Sequence, residues 1–339
     1  MRKTLLLIPL VLMASVLSRS VFALENDEIT PYKFTDRDNI PFYKIPAASR
    51  FIAKRPGANK PSIIYYLTKP KNSHYPIVIV CGGSSSKEDV GSIIHIHRYL
   101  LKEFLELGVG VLTVEQWGVD GNKVNKKIFM EHYTRSQRLQ DHQAIIEHLK
   151  SHPPQGWNGK LIFLGVSEGG PIVTTLTTEY PDITLATINW SGAGDWSWRE
   201  ELWAFLEPIR VESAKSSELI NLKDNTSLEE ITSRKQFDAR MDATLHNPTS
   251  NKYFLGMTYK YHADALLYPD TDYKKIRTPF LVVSGVKDTF IQSSDAFVYK
   301  AKNAGVNITY IRVEDMDHYV RKRPDIIAKS FKWLGKRIH

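Results

Sequence analysis

The sequence predicts an α/β fold with a mostly parallel, doubly wound sheet and an inserted, mainly helical cap. Apolar segments short enough for strands alternate with longer amphipathic segments from about residue 60 to residue 339. Such alternation indicates parallel strands joined by helices that cover both faces of the sheet. Residues 75–81 form a continuous apolar run, which is typical of a strand buried on both faces. A hydrophobic content of 42% in 339 residues is enough for one large core.

The individual elements follow from the spacing of apolar residues. Segment 135–150 predicts a helix because four aliphatic residues recur on one of its sides. Another helix passes through residues 99–105, and a third follows residue 170 and ends near Pro181, since proline cannot continue a helix. Strands are predicted at residues 62–67, 75–81, 108–113, 184–190, 279–284 and 308–313, and from residue 161 onward.

The first 23 residues have the pattern of a secretory signal peptide. Arg2 and Lys3 precede an apolar stretch at residues 4–17, and residues 21–23 offer small side chains at the positions that signal peptidase inspects. We expect cleavage after Ala23 and export to the periplasm or beyond. A membrane anchor is the alternative, but a span needs about 18 or more apolar residues, and this stretch is shorter.

The rest of the chain divides into a lead-in and one domain. Residues 24–60 are polar and proline-rich, and they predict an irregular N-terminal lead-in. Residues 61–339 predict a single domain. Residues 193–275 interrupt its alternation of strands and helices, because they are polar and lack convincing buried strands. We therefore expect this segment to be a mostly helical cap over the carboxyl edge of the sheet.

The charge of the chain does not predict a polyanionic partner. The formal net charge is +8 and falls to +5 when the signal peptide is removed. The basic side chains are scattered, which indicates a solvated surface. We expect no nucleic-acid partner and no stable membrane span, and the oligomeric state stays open. The single cysteine, Cys81, ends an apolar strand and is expected to be a buried small side chain.

Ser167 lies in a glycine-rich turn between a predicted strand and a predicted helix. Gly165 and Gly169 flank it, and only residues without side chains let a strand and a helix approach so closely at a sharp turn. Such a turn strains the backbone of its central residue and displays the hydroxyl group above the sheet edge. The pattern therefore predicts a nucleophilic serine.

A serine hydroxyl needs a base to take its proton, and the base needs an acid to orient it. His318 is the predicted base because it follows the last predicted strand, and Asp288 is the predicted acid because it follows the strand before. The chain order of nucleophile, acid and histidine agrees with this assignment. Two alternatives for the acid stay open, namely Asp195, which follows the strand at residues 184–190, and Asp317, beside the histidine.

The carbonyl oxygen of a substrate gains negative charge during attack, and fixed N–H donors must stabilise it. We expect one donor to be the backbone N–H of Glu168, directly after the nucleophile. The other is expected after Cys81, at Gly83 or Ser84, where glycine lets the backbone approach the substrate. A phosphate-binding loop is the competing interpretation, but the Gly-Lys-Ser/Thr ending of such a loop is missing from this segment.

Two tryptophans near strand ends are candidates for a substrate pocket. Trp196 follows the strand at residues 184–190, and Trp117 follows the strand at residues 108–113. Both rings are suited to line an apolar pocket for an acyl or aryl group. The alternative is that the aromatic residues at the start of the cap only pack it onto the core.

From about residue 60 to the C-terminus the chain resembles the α/β-hydrolase superfamily. Residues 165–169 resemble its nucleophile elbow, residues 284–288 its acid loop and residues 315–318 its histidine loop. The segment at 81–84 is similar to that of dienelactone hydrolases, prolyl oligopeptidases and acyl-CoA thioesterases, where a Gly-Gly-Ser sequence supplies the oxyanion donor. Where lipases carry His-Gly, this loop has Cys-Gly, which argues against close membership of that group. The resemblance implies a fold and a serine-hydrolase mechanism but not a substrate.

These features predict an exported serine hydrolase that cleaves a carboxylic ester through an acyl-enzyme intermediate, without a metal or organic cofactor. The expected partner is a small-molecule ester or a short peptide. The alternatives are a serine peptidase or aminopeptidase of the prolyl-oligopeptidase type, an acyl-CoA thioesterase, and a non-catalytic α/β-hydrolase scaffold. No acidic site for a free amine is identifiable in the sequence, and export disfavours the thioesterase because coenzyme A esters are mainly cytosolic.

Overall fold

The computed structural model describes residues 48–86, 90–121, 123–192, 194–215 and 231–338. The predicted signal peptide and most of the predicted lead-in lie outside these residues. The strands are β1 (Ser49–Ala53), β2 (Ile63–Thr68), β3 (Tyr75–Cys81), β4 (Gly110–Val114), β5 (Val119–Asp120), β6 (Lys123–Val124), β7 (Trp157–Val166), β8 (Thr184–Trp190), β9 (Tyr253–Phe254), β10 (Met257–Thr258), β11 (Phe280–Gly285) and β12 (Ile308–Val313). The helices are α1 (Ile94–Glu106), α2 (Lys126–His132), α3 (Arg135–Ser151), α4 (Gly169–Glu179), α5 (Trp198–Lys215), α6 (Arg234–His246), α7 (Tyr259–Leu266), α8 (Ile291–Asn303) and α9 (Pro324–Gly335).

Eight of the described strands form one sheet in the order β1-β2-β4-β3-β7-β8-β11-β12. From β4 to β12 neighbouring strands run parallel, whereas β2 is antiparallel to both of its neighbours. The mostly parallel sheet predicted from the sequence is therefore confirmed. Every residue of β3 is buried, as its continuous apolar composition predicts.

Helices cover both faces of this sheet, which confirms the doubly wound arrangement. On one face α1 and α9 pack on the central strands. Phe104 of α1 and Phe331 of α9 are in contact there, with 4.7 Å between their ring centroids. On the other face α3 and α4 contribute Ile145 and Ile172 to a second core. Because both faces are covered, the loops at the carboxyl ends of the parallel strands are the accessible place for a site.

Several predicted elements agree closely with the structure, and one segment differs. The predicted strands at 75–81, 184–190 and 308–313 coincide with β3, β8 and β12. Residues 24–60 were expected to be irregular, yet β1 lies among them and pairs antiparallel with β2. The strand escapes prediction because it is five residues long at the sheet edge and four of those residues are exposed, so no buried apolar pattern marks it.

The segment between β8 and β11 contains α5, α6 and α7 together with the β9–β10 hairpin. It has an apolar cluster of its own, in which Leu206, Phe237 and Phe254 are buried. Trp203 packs against Phe237 with 5.3 Å between ring centroids. Its role as a cap over the site stays a prediction. Of the helices in the described ranges, none is both long and apolar enough to cross a bilayer.

Candidate active site

The turn between β7 and α4 holds Ser167 in a strained conformation. Its φ angle is 52°, in the left-handed region that non-glycine residues rarely occupy. Close backbone contacts require the flanking glycines. A Cβ atom at Gly165 would lie 2.6 Å from the carbonyl oxygen of Gly169, and a Cβ atom at Gly169 would lie 2.2 Å from that of Cys81. The sharp turn displays the serine hydroxyl at the carboxyl end of β7.

The structure brings together the residues predicted as nucleophile, base and acid. His318 follows β12 and Asp288 follows β11, and their loops meet at the end of β7. Nε2 of His318 lies 2.9 Å from Oγ of Ser167, and Nδ1 lies 2.8 Å from Oδ2 of Asp288. Because a carboxylate can only accept, Nδ1 carries the ring proton and Nε2 accepts a hydrogen bond from the serine hydroxyl. This arrangement can deprotonate the serine.

Burial and neighbouring carboxylates act in opposite directions on His318. Its side chain is 14% exposed and that of Asp288 is 3% exposed. Burial lowers the pKa of His318, but Asp288, with Asp317 and Glu201, raises this pKa above the ordinary value of 6.5. Asp288 also accepts a hydrogen bond from the backbone N–H of Phe290 at 3.1 Å, which fixes its carboxylate. The imidazolium formed by proton transfer is therefore stabilised.

The two other aspartates considered as the acid bind different partners. Asp195 accepts a hydrogen bond from the Tyr273 hydroxyl at 2.6 Å and pairs with Lys300 at 2.5 Å. Asp317 pairs with Lys322 at 2.8 Å. Within the described residues, neither carboxylate is hydrogen-bonded to the histidine ring.

The predicted oxyanion donors lie next to the nucleophile. A Cβ atom at Gly83 would lie 3.3 Å from Cβ of Ser167, so the loop after β3 passes directly beside it. Ser84 and Glu168 line the same cavity as the nucleophile. Across the described ranges no protein acceptor is found for the N–H groups of Gly83, Ser84 and Glu168. These groups are therefore free to bind a substrate oxygen.

A cavity of about 50 Å³ opens beside the nucleophile. The aromatic residues Trp198, Tyr261 and Phe290 line part of it, and so do the charged residues Arg135 and Glu201. The Arg135 guanidinium contacts the Trp198 ring, since its Cζ atom lies 4.6 Å from the ring centroid. The cavity thus offers apolar surface together with a cation and a carboxyl group.

Neither tryptophan predicted to line the pocket belongs to this wall. Trp198, at the start of α5, takes the place expected for Trp196. Trp117 stacks on His132 at 3.9 Å and lies under the guanidinium of Arg55 at 4.1 Å, where it lines a separate cavity of about 470 Å³. The distance in sequence from a strand end does not determine which ring lines the cavity beside the nucleophile.

The side chain of Glu168 lies in a buried charged cluster beneath the nucleophile. It is 4% exposed and pairs with Arg138 at 2.7 Å and with Arg135 at 3.2 Å. The hydroxyls of Tyr133, at 2.5 Å, and Tyr261 also donate to it. Burial alone would raise the pKa of Glu168, but these four partners hold it below the ordinary value. The carboxylate therefore stays charged. These five residues are called the Glu168 cluster below.

Sequence reasoning did not identify the arginines of this cluster or the carboxyl group of Glu201. Arg135 and Arg138 are three residues apart on the buried side of α3, but Asp141 and His142 are buried there as well, so no apolar face marks the two arginines in the sequence. Glu201 accepts a hydrogen bond from the Ser293 hydroxyl at 3.1 Å, and burial raises its pKa. No local pattern distinguishes it from the other acidic residues of α5.

Cys81 is buried, as expected for a small side chain in a strand. Burial raises the pKa of its thiol to about 11, so the thiol is protonated at neutral pH. Its Sγ atom lies 3.2 Å from Nε2 of His142. Among the residues that the structure describes, no group of three or more histidine, cysteine or acidic side chains is arranged to hold a metal ion.

Solved structures of other proteins share this fold. Est1E from Butyrivibrio proteoclasticus is 15% identical over 85% of this chain and 98% of its own, with a TM-score of 0.51. An esterase of Pyrococcus furiosus is 12% identical over 86% of this chain and 92% of its own, with a TM-score of 0.55. The acylaminoacyl peptidase of Pyrococcus horikoshii is 14% identical over 86% of this chain but only 42% of its own, with a TM-score of 0.55. At these identities the likeness concerns the fold.

No curated protein matches the sequence. A family model does match, over residues 90–320, and it is described as Hydrolase_4, serine aminopeptidase, S33. The match covers more than half of the 339 residues and includes the elbow, the acid loop and the histidine loop. The resemblance to α/β hydrolases inferred from the sequence is thereby confirmed, and the chain belongs to the serine aminopeptidase S33 (Hydrolase_4) family of serine hydrolases.

Proposed function

We propose that this hydrolase cleaves a carboxylic ester through an acyl-enzyme intermediate. The observation that carries the proposal is the continuous series of hydrogen bonds from Asp288 through His318 to Ser167. A carboxylate, an imidazole and a serine hydroxyl in this order are the groups that nucleophilic acyl transfer needs. One of the similar structures is that of an esterase, which agrees with an ester as the substrate.

The geometry supports a two-step reaction. Oγ of Ser167 attacks the ester carbonyl carbon while Nε2 of His318 takes the serine proton, and Asp288 stabilises the resulting imidazolium. The N–H groups of Glu168 and of the loop after β3 bind the oxyanion of the tetrahedral intermediate. The imidazolium then protonates the departing alcohol. A water molecule, deprotonated by the same ring, then attacks the acyl carbon. The bond from that carbon to Oγ breaks, the imidazolium returns the proton to Oγ, and the carboxylic acid is released.

The size of the cavity favours a small acyl group. Its volume of about 50 Å³ is far below the roughly 300–1,000 Å³ of pockets that enclose a drug-sized ligand. Apolar contact with Trp198, Tyr261 and Phe290 suits a short aliphatic chain. We therefore propose short-chain acyl esters as the preferred substrates, with the alcohol portion outside the enclosed space.

A second candidate is the hydrolysis of aminoacyl esters or amides, and Glu201 favours it. Its carboxyl group lines the cavity beside the nucleophile, and burial raises its pKa. A cationic amine on the acyl side of a substrate would give this buried carboxylate a charged partner. The matched family model is described as a serine aminopeptidase, which agrees with this candidate.

Turnover on a panel of substrates distinguishes these functions. We expect acetyl and butyryl esters to be cleaved faster than long-chain esters, aminoacyl amides or acyl-CoA thioesters. If aminoacyl substrates are preferred instead, Glu201→Gln should lower the ratio of aminoacyl to acetyl turnover about tenfold, since the ion pair is lost. Covalent labelling by a fluorophosphonate without turnover of any ester would contradict the ester proposal. If the protein shows neither fluorophosphonate labelling nor turnover of any substrate, the non-catalytic scaffold is favoured.

We also propose that the protein is exported and that residues 1–23 are removed. The support is the N-terminal sequence pattern alone. Mass spectrometry of the exported protein should give a chain that begins at Leu24, and a membrane-bound chain that retains Met1 would contradict the proposal.

A further inference from the structure

The Glu168 cluster joins the two halves of the proposed oxyanion site. Glu168 contributes one N–H donor from its backbone, and its side chain is the centre of the cluster. The other donor lies in the loop at residues 82–85, which follows β3. The two donors follow different strands, β7 and β3. Catalysis requires such donors to be held within about 0.5 Å of the productive geometry. Some contact must therefore fix their separation.

Arg138 binds both halves with one rigid group. Its Nη1 donates to Oε2 of Glu168 at 2.7 Å, and its Nη2 donates to the carbonyl oxygen of Gly82 at 2.6 Å. The guanidinium is planar, so the directions of these two bonds are fixed relative to each other. The Arg138 side chain is only 6% exposed, so water competes little for either bond.

Tyr133 supplies a second connection at the other end of the loop. Its hydroxyl accepts a hydrogen bond from the N–H of Ser85 at 3.0 Å and donates to Oε2 of Glu168 at 2.5 Å. Arg138 therefore holds the start of the loop and Tyr133 holds its end. The segment with Gly83 and Ser84, which carries the expected donor, is fixed from both sides.

The inserted segment acts on the same carboxylate. The hydroxyl of Tyr261, on α7, donates to Oε1 of Glu168. Its ring lies parallel to that of Tyr133, with 5.3 Å between centroids. A displacement of α7 would therefore act on the cluster that holds the oxyanion donors.

We infer that Arg138 and Tyr133 are positioning residues, which set the distance between the Glu168 N–H and the donor of the 82–85 loop, with the Glu168 carboxylate as their common anchor. The inference rests on the proposed acyl-transfer function. Neither side chain has to touch the substrate. The oxyanion forms only on the way to the transition state, so loss of this positioning lowers kcat and leaves KM nearly unchanged.

Two variants test the inference. Arg138→Met removes the bonds to Glu168 and Gly82, together with a longer bond to the Tyr133 hydroxyl at 3.4 Å. Tyr133→Phe removes one hydroxyl and keeps the ring. We expect kcat per active site to fall about 100-fold and about 10-fold respectively, with KM within about twofold of wild type, because small displacements of oxyanion donors have costs of this order. The Ki of a trifluoromethyl ketone, which forms an oxyanion adduct with Ser167, should rise by the factor by which kcat/KM falls.

Arg55→Met is the matched control. Arg55 also forms a buried pair with two bonds, to Asp141 on α3 at 2.8 and 2.9 Å, and its side chain is 3% exposed. Asp141 is one turn from Arg138 on α3. Within the described residues, no hydrogen bond joins Arg55 or Asp141 to either half of the proposed oxyanion site. We expect a lower melting temperature with unchanged kcat, once fluorophosphonate titration has counted the active sites.

A loss of kcat per titrated site in Arg138→Met no larger than in Arg55→Met would overturn the inference, and so would a loss confined to KM. If Arg138→Met does not fold, kcat per titrated site is compared between Tyr133→Phe and Arg55→Met instead, and a loss in Tyr133→Phe no larger than in Arg55→Met overturns the inference. Failure of the proposed function has a different signature, namely a wild-type protein without ester turnover. In that case the trifluoromethyl ketone affinities of the three variants still decide whether the cluster positions the donors.

Discussion

Asp288 and Asp195 provide a comparison at the scale of single residues, because both follow strands of the parallel sheet. Asp288 divides its two oxygens between the ring of His318 and the N–H of Phe290. Asp288→Asn should lower kcat about 10⁴-fold without unfolding the protein, since an amide favours the wrong ring tautomer. Asp195→Asn should have little effect on kcat. Steady-state kinetics with circular dichroism as a folding control checks both, and the reverse result would transfer the acid role to Asp195.

The pH dependence of activity tests the environment of the histidine. Its pKa is raised above 6.5, and only the neutral ring can accept the serine proton, so kcat/KM should rise with pH through a midpoint above 6.5. The same shift means that protonated His318 stabilises the fold at low pH and that this contribution is lost as pH rises through the raised pKa.

Asp317 raises the pKa of His318, so Asp317→Asn should lower the midpoint of kcat/KM. Asp295→Asn is the control, because Asp295 is bonded to Tyr310 and Arg312. Profiles of kcat/KM against pH for the three proteins decide the matter. An identical midpoint in all of them would contradict the electrostatic account.

At the scale of elements, the close contact of α4 with β3 depends on Gly169. A Cβ atom there would meet the Cys81 carbonyl oxygen at 2.2 Å, which is a backbone atom that cannot turn aside. Gly169→Ala should therefore destabilise the protein by about 1–3 kcal/mol or more. Gly91→Ala is the control, since a Cβ atom there would have no neighbour within 4 Å among the residues that the structure describes. Thermal unfolding measures both, and equal melting temperatures would contradict the packing argument.

The start of α5 should control which acyl groups fit. Trp198 lines the cavity and contacts the Arg135 guanidinium, whereas Trp196 lies outside the wall. Trp198→Ala should raise hexanoyl relative to acetyl ester turnover about tenfold, because removing the ring enlarges an apolar site. Trp196→Ala should leave that ratio unchanged. Equal ratios in both variants, with a lower melting temperature for Trp198→Ala, would mean that the ring serves only packing.

Some residues of the site can be predicted from local sequence patterns, and others cannot. The proximity of Ser167, His318 and Asp288 is predictable because chemistry restricts the residue types of the proposed roles and the sheet fixes the order of their loops. The positioning role inferred for Arg138 cannot be predicted from the sequence. It depends on contacts with Glu168, 30 residues away, and with Gly82, 56 residues away. Contacts over such distances leave no local pattern. The same reason explains why Trp196 was chosen over its neighbour Trp198.

For the whole molecule, the predicted fold class followed from properties that extend over many residues. Buried parallel strands are largely apolar, and helices on both faces give regular alternation, so β3 and β8 are predicted at their observed positions. The less buried β12 also coincides with its predicted position, as the last strand of that alternation. The edge strand β1 was missed because its stability depends on pairing with β2 rather than on buried side chains. Prediction therefore succeeded for the parallel strands, including the edge strand β12, and failed for the antiparallel edge strand β1.

The parallel sheet also explains why the site has its composition. The elbow follows β7, the acid loop follows β11 and the histidine loop follows β12, so three separate strand ends supply the three groups at one edge. The Glu168 cluster lies beneath this edge and ties it to the loop after β3 and to α7. Strand ends and helices of the sheet thus hold these three groups, whereas the segment between β8 and β11 supplies part of the cavity wall, including Trp198 and Tyr261.

The proposed mechanism requires Ser167 to be the nucleophile and His318 to be its base. Peptide mapping by mass spectrometry after reaction with a fluorophosphonate tests it most directly. We expect one adduct, on Ser167, no adduct in Ser167→Ala and labelling near background in His318→Ala, with loss of ester turnover in both variants. An adduct on another residue, or full ester turnover by Ser167→Ala, would contradict it.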